Sequence, residues 1–150
     1  MKKERILEVN HLDLSFRLGN EVNYVIRDIS FHVNKGETLA IVGESGSGKS
    51  VTTKAILGMI DDNGNLSNGE ILFRFGKEGS SDEIVDLAKK DRKFMQQNIR
   101  GSRIAIIFQD PMTSLDPTMT IGKQIMESML EHKKVVSKKE AMKKTIELLD

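Results

Sequence analysis

The chain reads as an α/β protein in which an antiparallel β layer feeds a strand–loop–helix unit suited to holding phosphate. Three observations predict this. Residues 6–16 alternate apolar and polar side chains, the period of a half-buried strand. Gly43-Glu44-Ser45-Gly46-Ser47-Gly48-Lys49-Ser50 fits the pattern G-x-x-x-x-G-K-[ST], set between an apolar run at 38–42 and a helical periodicity after it. A second apolar run, at 103–108, offers another strand buried on both faces, as in a parallel sheet.

Taken in order, Leu12, Leu14 and Phe16 fall on one side of the first strand, with Asp13 and Ser15 on the other. Leu18-Gly19-Asn20-Glu21 is a turn, and Ile29, Phe31 and Val33 mark a second alternating strand. Asn34-Lys35-Gly36-Glu37 then turns the chain into Thr38-Leu39-Ala40-Ile41-Val42, the strand expected before the loop. Beyond the loop, Val51, Ala55, Ile56 and Met59 recur at helical spacing. Residues 61–65 read as a loop and 70–73 as a short strand. The glycine- and serine-rich stretch 76–82 reads as a surface excursion, and 83–98 as a helix of mixed pattern. From Thr120 an amphipathic helix places Ile121, Ile125 and Met129 beside Met126 and Leu130, either subdomain core or a coupling surface.

Each fixed position of the loop answers a physical demand. Backbone N–H groups can surround a triphosphate only where no Cβ blocks close approach, and Gly46 and Gly48 permit it. Lys49 supplies a compact cation for the β- and γ-phosphates, and the Ser50 hydroxyl can ligate Mg²⁺. The helix that follows points free amides and its dipole at the anion. The expected ligand is ATP or GTP.

Composition excludes several classes. Lys and Arg total 23 against 22 Asp and Glu, so a nucleic-acid binder relying on a broad positive field is not expected. There is no cysteine, hence no disulfide framework and no thiolate metal site within these residues. No stretch approaches the ~20 apolar residues that span a bilayer. The basic start, Met1-Lys2-Lys3-Glu4-Arg5, is not followed by the apolar region of a secretory signal. His11, His32 and His132 are scattered over different elements and read as surface or packing residues.

Ser137-Lys138-Lys139-Glu140 is a capping box, opening a helix striped with Met142, Ile146 and Leu149. The stripe is still running at Asp150, without a terminating glycine or proline. The chain is therefore expected to be an N-terminal fragment of a longer protein, or the product of a truncated gene.

Ile104-Ala105-Ile106-Ile107-Phe108-Gln109-Asp110-Pro111-Met112-Thr113-Ser114-Leu115-Asp116-Pro117 resembles the Q-loop of ABC-transporter ATPases, in wording nearest the oligopeptide/dipeptide importer branch. Val51 after the loop serine, and Ile99-Arg100-Gly101 before the Q-loop strand, are similar to the same branch. The resemblance implies a P-loop NTPase core of ABC type with an N-terminal antiparallel β layer, an incomplete parallel sheet and the start of a helical subdomain. It would be the N-terminal part of one ATP-binding domain: β layer and P-loop over about 1–75, excursion and mixed segment over about 76–100, Q-loop and partial helical subdomain over about 101–150.

By the same resemblance, residues from Gly43 to Val51 (Glu44, Ser45, Gly46, Ser47, Gly48, Lys49 and Ser50 between them) would cradle ATP, with Lys49 also catalytic. Ser50 and Gln109 would serve Mg²⁺, and Gln109 would lie near the attacking water and move with a transmembrane subunit. Phe16 sits where the family places an adenine-stacking aromatic; Tyr24 is its nearest rival, and packing with Leu12 and Leu14 its ordinary alternative. The implied partners are transmembrane permease subunits, a second ATP-binding subunit and, indirectly, an extracytoplasmic solute-binding protein, with no nucleic acid. The implied place is peripheral, on the cytoplasmic face of the cell membrane.

The signature Leu-Ser-Gly-Gly-Gln, a Walker B acid pair and a switch histidine are all absent from these residues. Residues 104–110 do not replace Walker B, since Gln109 precedes Asp110 and no glutamate follows. The alternatives are a truncated, non-catalytic nucleotide-binding module and another P-loop enzyme such as a small-molecule kinase.

Overall fold

The computed structural model describes residues 4–75, 83–110, 115–132 and 135–149. The chain divides into two compact units, Met1–Met95 and Gln96–Asp150.

The first unit is built on a four-stranded antiparallel sheet of order β2-β1-β3-β4, comprising β1 (Arg5–Leu18), β2 (Glu21–Asn34), β3 (Gly64–Phe75) and β4 (Glu83–Asp86). Both expected strands at the front are present and longer than the sequence pattern marked. They close through Gly19-Asn20, where the positive φ of Gly19 (+62°) suits the first central position of a two-residue hairpin turn. The register sets Val9 opposite Phe31 and Ile71, and Leu14 opposite Ile26 and Leu66. Val9, Leu12, Leu14 and Ile71 are fully buried, each stabilising the fold by roughly 1.5–3 kcal/mol.

The ladder is broken midway by bulges. His11 (φ 50°) and Asp28 (φ 46°) take left-handed conformations, and side chains adopt the backbone donors freed there. His11 N–H donates to Ser30 Oγ at 2.9 Å, and Asp28 N–H to Asp13 Oδ1 at 2.8 Å. Gly69 (φ +94°) completes the seam on β3; a Cβ there would stand 2.5 Å from the His11 carbonyl oxygen, so only glycine fits.

Helix α1 (Lys49–Ile56) turns Thr52, Ala55 and Ile56 inward. It stops at Gly58 (φ +61°), where Gly58 N–H donates to Ala55 O and Met59 N–H to Lys54 O, the two bonds of a Schellman cap. Met59 thus falls just past the helix.

The helix expected over 83–98 is not formed. In its place stand β4, a 3₁₀ turn (Leu87–Lys89), a single α-turn α2 (Arg92–Phe94) and a π turn (Met95–Ile99). Asp86 and Asp91 cap the two turns from their side chains, which is why no one periodicity runs through the segment. Asp86 Oδ1 accepts from Ile71 N–H and Ala88 N–H at 3.1 Å each, and Oδ2 meets Lys89 Nζ at 2.8 Å. Partial burial pushes its pKa up, but the Lys89 contact and the two N–H donors outweigh it and leave the carboxyl below the ordinary 3.8. A depressed folded pKa contributes stability fully above the unfolded value and loses it as pH falls through the folded one. Urea unfolding should therefore show a loss below about pH 3.8 that Asp86→Asn removes.

The two apolar runs expected as buried strands do not form strands. Among the described residues nothing pairs with 38–42, and Val42 is 90 % exposed. In 103–108 the only ladder contact is a single parallel bridge, Arg100 with Ile104, and Ile107 is 96 % exposed. A parallel strand needs a neighbour along its edge and cover on its faces, and without them the apolar composition has nothing to bury against. The excursion expected at 76–82 lies outside the described residues.

In the second unit, α3 (Ile121–Glu131) packs with α4 (Lys138–Leu149). Gln124 pins the turn ahead of α3, donating from Nε2 to the Asp116 and Met119 carbonyls. The capping box is present with one change. Ser137 Oγ accepts from Glu140 N–H at 3.2 Å, whereas the Glu140 carboxylate reaches back to Val136 N–H, not to Ser137 N–H. Helix α4 buries Ala141 and Thr145, and leaves its predicted stripe of Met142, Ile146 and Leu149 exposed.

Candidate nucleotide-binding site

The loop at 43–48 rests on the β layer through one glycine. A Cβ on Gly48 would stand 3.1 Å from the Val25 carbonyl oxygen and 3.6 Å from Ile26 Cγ1. Gly48 also holds φ +91° as the residue preceding α1. Space and conformation both demand glycine there. Gly46 (φ +81°) has open space around it, so its demand is conformational alone. Gly43 is required by crowding, since a Cβ would lie 2.7 Å from Ser47 Oγ.

Lys49 curls back over the loop. Its Nζ donates to the Gly43 carbonyl at 2.7 Å and the Glu44 carbonyl at 2.6 Å, with Ser47 Oγ at 3.4 Å. The ammonium is thus held at the mouth of the loop by neutral acceptors that an anionic oxygen would outcompete. No side chain caps the N-terminus of α1, and its first turn carries no acidic residue. The leading amides and the positive end of the helix dipole stay available to an anion. Thr52, buried, anchors the turn from behind, its hydroxyl donating to the Gly48 carbonyl at 3.0 Å. Sequence reasoning did not single out Thr52, nor the support at Val25 and Ile26; the first is marked only by its place four residues past Gly48.

These residues fit a phosphate group: two positive-φ glycines, uncapped amides and one cation converge. They also fit half of a Mg²⁺ site. The Ser50 side chain is exposed and its hydroxyl bonds to no described residue, while its carbonyl accepts from Thr53 Oγ1. Val51 follows it, half-buried.

Phe16 is half-buried on the sheet face shared by Leu14 and Ile26, the face on which Gly48 rests. Its ring edge would meet a Cβ on Gly64 at 3.0 Å. Tyr24 pairs with Ser15 and so lies on the opposite face, with the Arg27 guanidinium 5.7 Å from its ring centre. Gln109 belongs to the second unit, exposed in a stretch that joins no strand. Among the described residues no group of three His, Cys, Asp or Glu side chains could hold a metal, and no helix is long and apolar enough to cross a membrane.

A family model described as ABC transporter matches residues 26–150. The chain is 49 % identical over 149 residues to a dipeptide transport ATP-binding protein, DppD, of Lactococcus lactis subsp. cremoris, covering 99 % of this chain and 40 % of that protein. It is 52 % identical over 148 residues to the oligopeptide transport ATP-binding protein OppD of Bacillus subtilis, covering 97 % of this chain and 38 % of that protein. The chain thus spans about two fifths of the length of these relatives. Among solved structures, the dimeric post-hydrolysis state of the ATP-binding cassette MJ0796 bound to ADP and Pi superposes with a TM-score of 0.71. That match covers 95 % of this chain and 55 % of the other at 18 % identity, a likeness of fold.

Proposed function

The chain belongs to the ABC transporter family, and from that membership we propose that it forms the nucleotide-binding front of an ATPase subunit that drives import of peptides or related solutes. The observation that carries the proposal is the loop closed around Lys49 at the uncapped N-terminus of α1, seated on β2 through Gly48. Backbone amides of 46–50 bind the β- and γ-phosphates, Lys49 releases its two carbonyls to close over them, and Ser50 offers its hydroxyl to the metal. Mg²⁺, when bound, neutralises charge on the phosphates. Phe16 covers the purine from the loop-bearing face of the sheet. Gln109 couples the nucleotide state to a membrane partner.

The partners proposed are a pair of transmembrane permease subunits, a second ATP-binding subunit and an extracytoplasmic solute-binding protein. The place is the cytoplasmic face of the membrane. Membership in the family leaves no room for the small-molecule kinase alternative. The absence of a Walker B acid pair and a signature segment from these residues supports the non-catalytic reading for them taken alone. Phosphoryl transfer needs several charged groups placed together, not the loop by itself. Purified residues 1–150 should bind labelled ATP saturably with Mg²⁺ and release no phosphate above background. Sustained Mg²⁺-dependent turnover by them would refute this division of labour.

A further inference from the structure

The sheet face turned away from the phosphate loop carries a groove of about 460 Å³, lined by Ser15, Arg17, Tyr24, Asn63 and Asn65 among others. We propose that this groove is a second ligand site, taking a small molecule that joins a flat heteroaromatic ring to an anionic group, of the mononucleotide class. The register fixes the arrangement. Ser15 lies opposite both Tyr24 and Asn65, and Arg17 opposite Val22, so these side chains share one face. Phe16, Leu14 and Ile26 occupy the other, so the groove is separate from the purine position proposed at Phe16.

Four features specify the ligand. Tyr24 is 53 % exposed and offers a ring already paired with the Arg27 guanidinium. The Arg17 guanidinium has no ion-pair partner among the described residues, which leaves it open to an anion. Asn63 and Asn65 bring amide groups able to both donate and accept toward ring heteroatoms. Ser15 lines the floor of the groove and adds a hydroxyl that can donate or accept there. Among the described lining residues the one acid, Asp62, is already engaged by Arg92.

The chain reports on this groove by itself. Tyr24 is the only tyrosine and there is no tryptophan, so emission excited to the red of the phenylalanine band comes from the groove alone. The test titrates AMP into the full chain carrying Lys49→Ala, which disables the phosphate loop, with correction for nucleotide absorbance. Saturable change in tyrosine emission is expected, with the same midpoint by equilibrium dialysis. Arg17→Ala should weaken it about tenfold, and Tyr24→Ala about fivefold to a hundredfold by dialysis. Tyr24→Phe should retain binding in dialysis. Both residues are exposed, so circular dichroism should be unchanged in every variant. Ribose 5-phosphate should bind far more weakly than AMP. The proposal is overturned if AMP binds only when Lys49 is intact, if Arg17→Ala and Tyr24→Ala leave its affinity unchanged, or if ribose 5-phosphate binds equally well. Because the loop is disabled throughout, failure here leaves the nucleotide site proposed above untouched, and success does not depend on it.

Discussion

Lys49→Ala should lower the affinity of the chain for Mg²⁺-ATP by about a hundredfold or more at the loop, with little change in thermal stability. The reasoning starts from what the ammonium does in the free loop. It holds two carbonyls at 2.7 and 2.6 Å, neutral acceptors near solvent, and exchanges them for phosphate oxygens of full charge. Hydrogen bonds to charged groups contribute roughly 1.5–3 kcal/mol each, and two of them correspond to about two decades or more in affinity. The folded chain loses only exposed contacts. Isothermal titration beside thermal melts separates the two effects. Lys49→Arg should rescue poorly, because the loop is sized for a point charge and the guanidinium is a planar fork.

Gly48→Ala should damage both stability and binding. A non-glycine residue at φ +91° costs on the order of 1–3 kcal/mol, and the new Cβ would press on the Val25 carbonyl at 3.1 Å. That carbonyl is main chain and cannot rotate away as a side chain would. The strain is relieved only by lifting the loop off β2, which displaces the amides that meet phosphate. Urea unfolding should register the loss, and ATP affinity should fall by about tenfold or more. Gly46→Ala is the matched control: it has a similar φ but open space, so its damage should be smaller.

The sequence made the phosphate loop legible because each of its demands is local. A positive φ, a missing Cβ and a cation one residue past the last glycine are all recorded in the residues themselves. The β layer was legible for a related reason: strands half-buried in an antiparallel sheet must alternate, and Leu12, Leu14 and Phe16 do. What holds the loop in place was not legible. Val25 and Ile26 support Gly48 from a strand twenty-odd residues earlier, and nothing local marks them as its floor.

The bulge at His11 and Asp28 was equally hidden. Its left-handed residues are not glycines, and the side chains that stabilise it come from Asp13 and Ser30 across the strand pair. Residues 83–98 failed as a helix because Asp86 and Asp91 compete for backbone amides and cut the segment into short turns. The apolar runs at 38–42 and 103–108 teach the opposite lesson. Their composition records a preference for a buried strand, but a strand exists only beside a partner. Among the described residues, the isolated Arg100–Ile104 bridge is the one strand-type pairing that either run makes.

The most direct measurement is an amide-resolved NMR titration of the chain with Mg²⁺-ATP. The earliest shifts, at the lowest ATP concentrations, should gather at residues 43–51, with the Gly46, Gly48 and Lys49 amides moving most and Lys49→Ala erasing them. Earliest shifts spread elsewhere, with 43–51 silent and Lys49→Ala without effect, would contradict a phosphate seat at the head of α1.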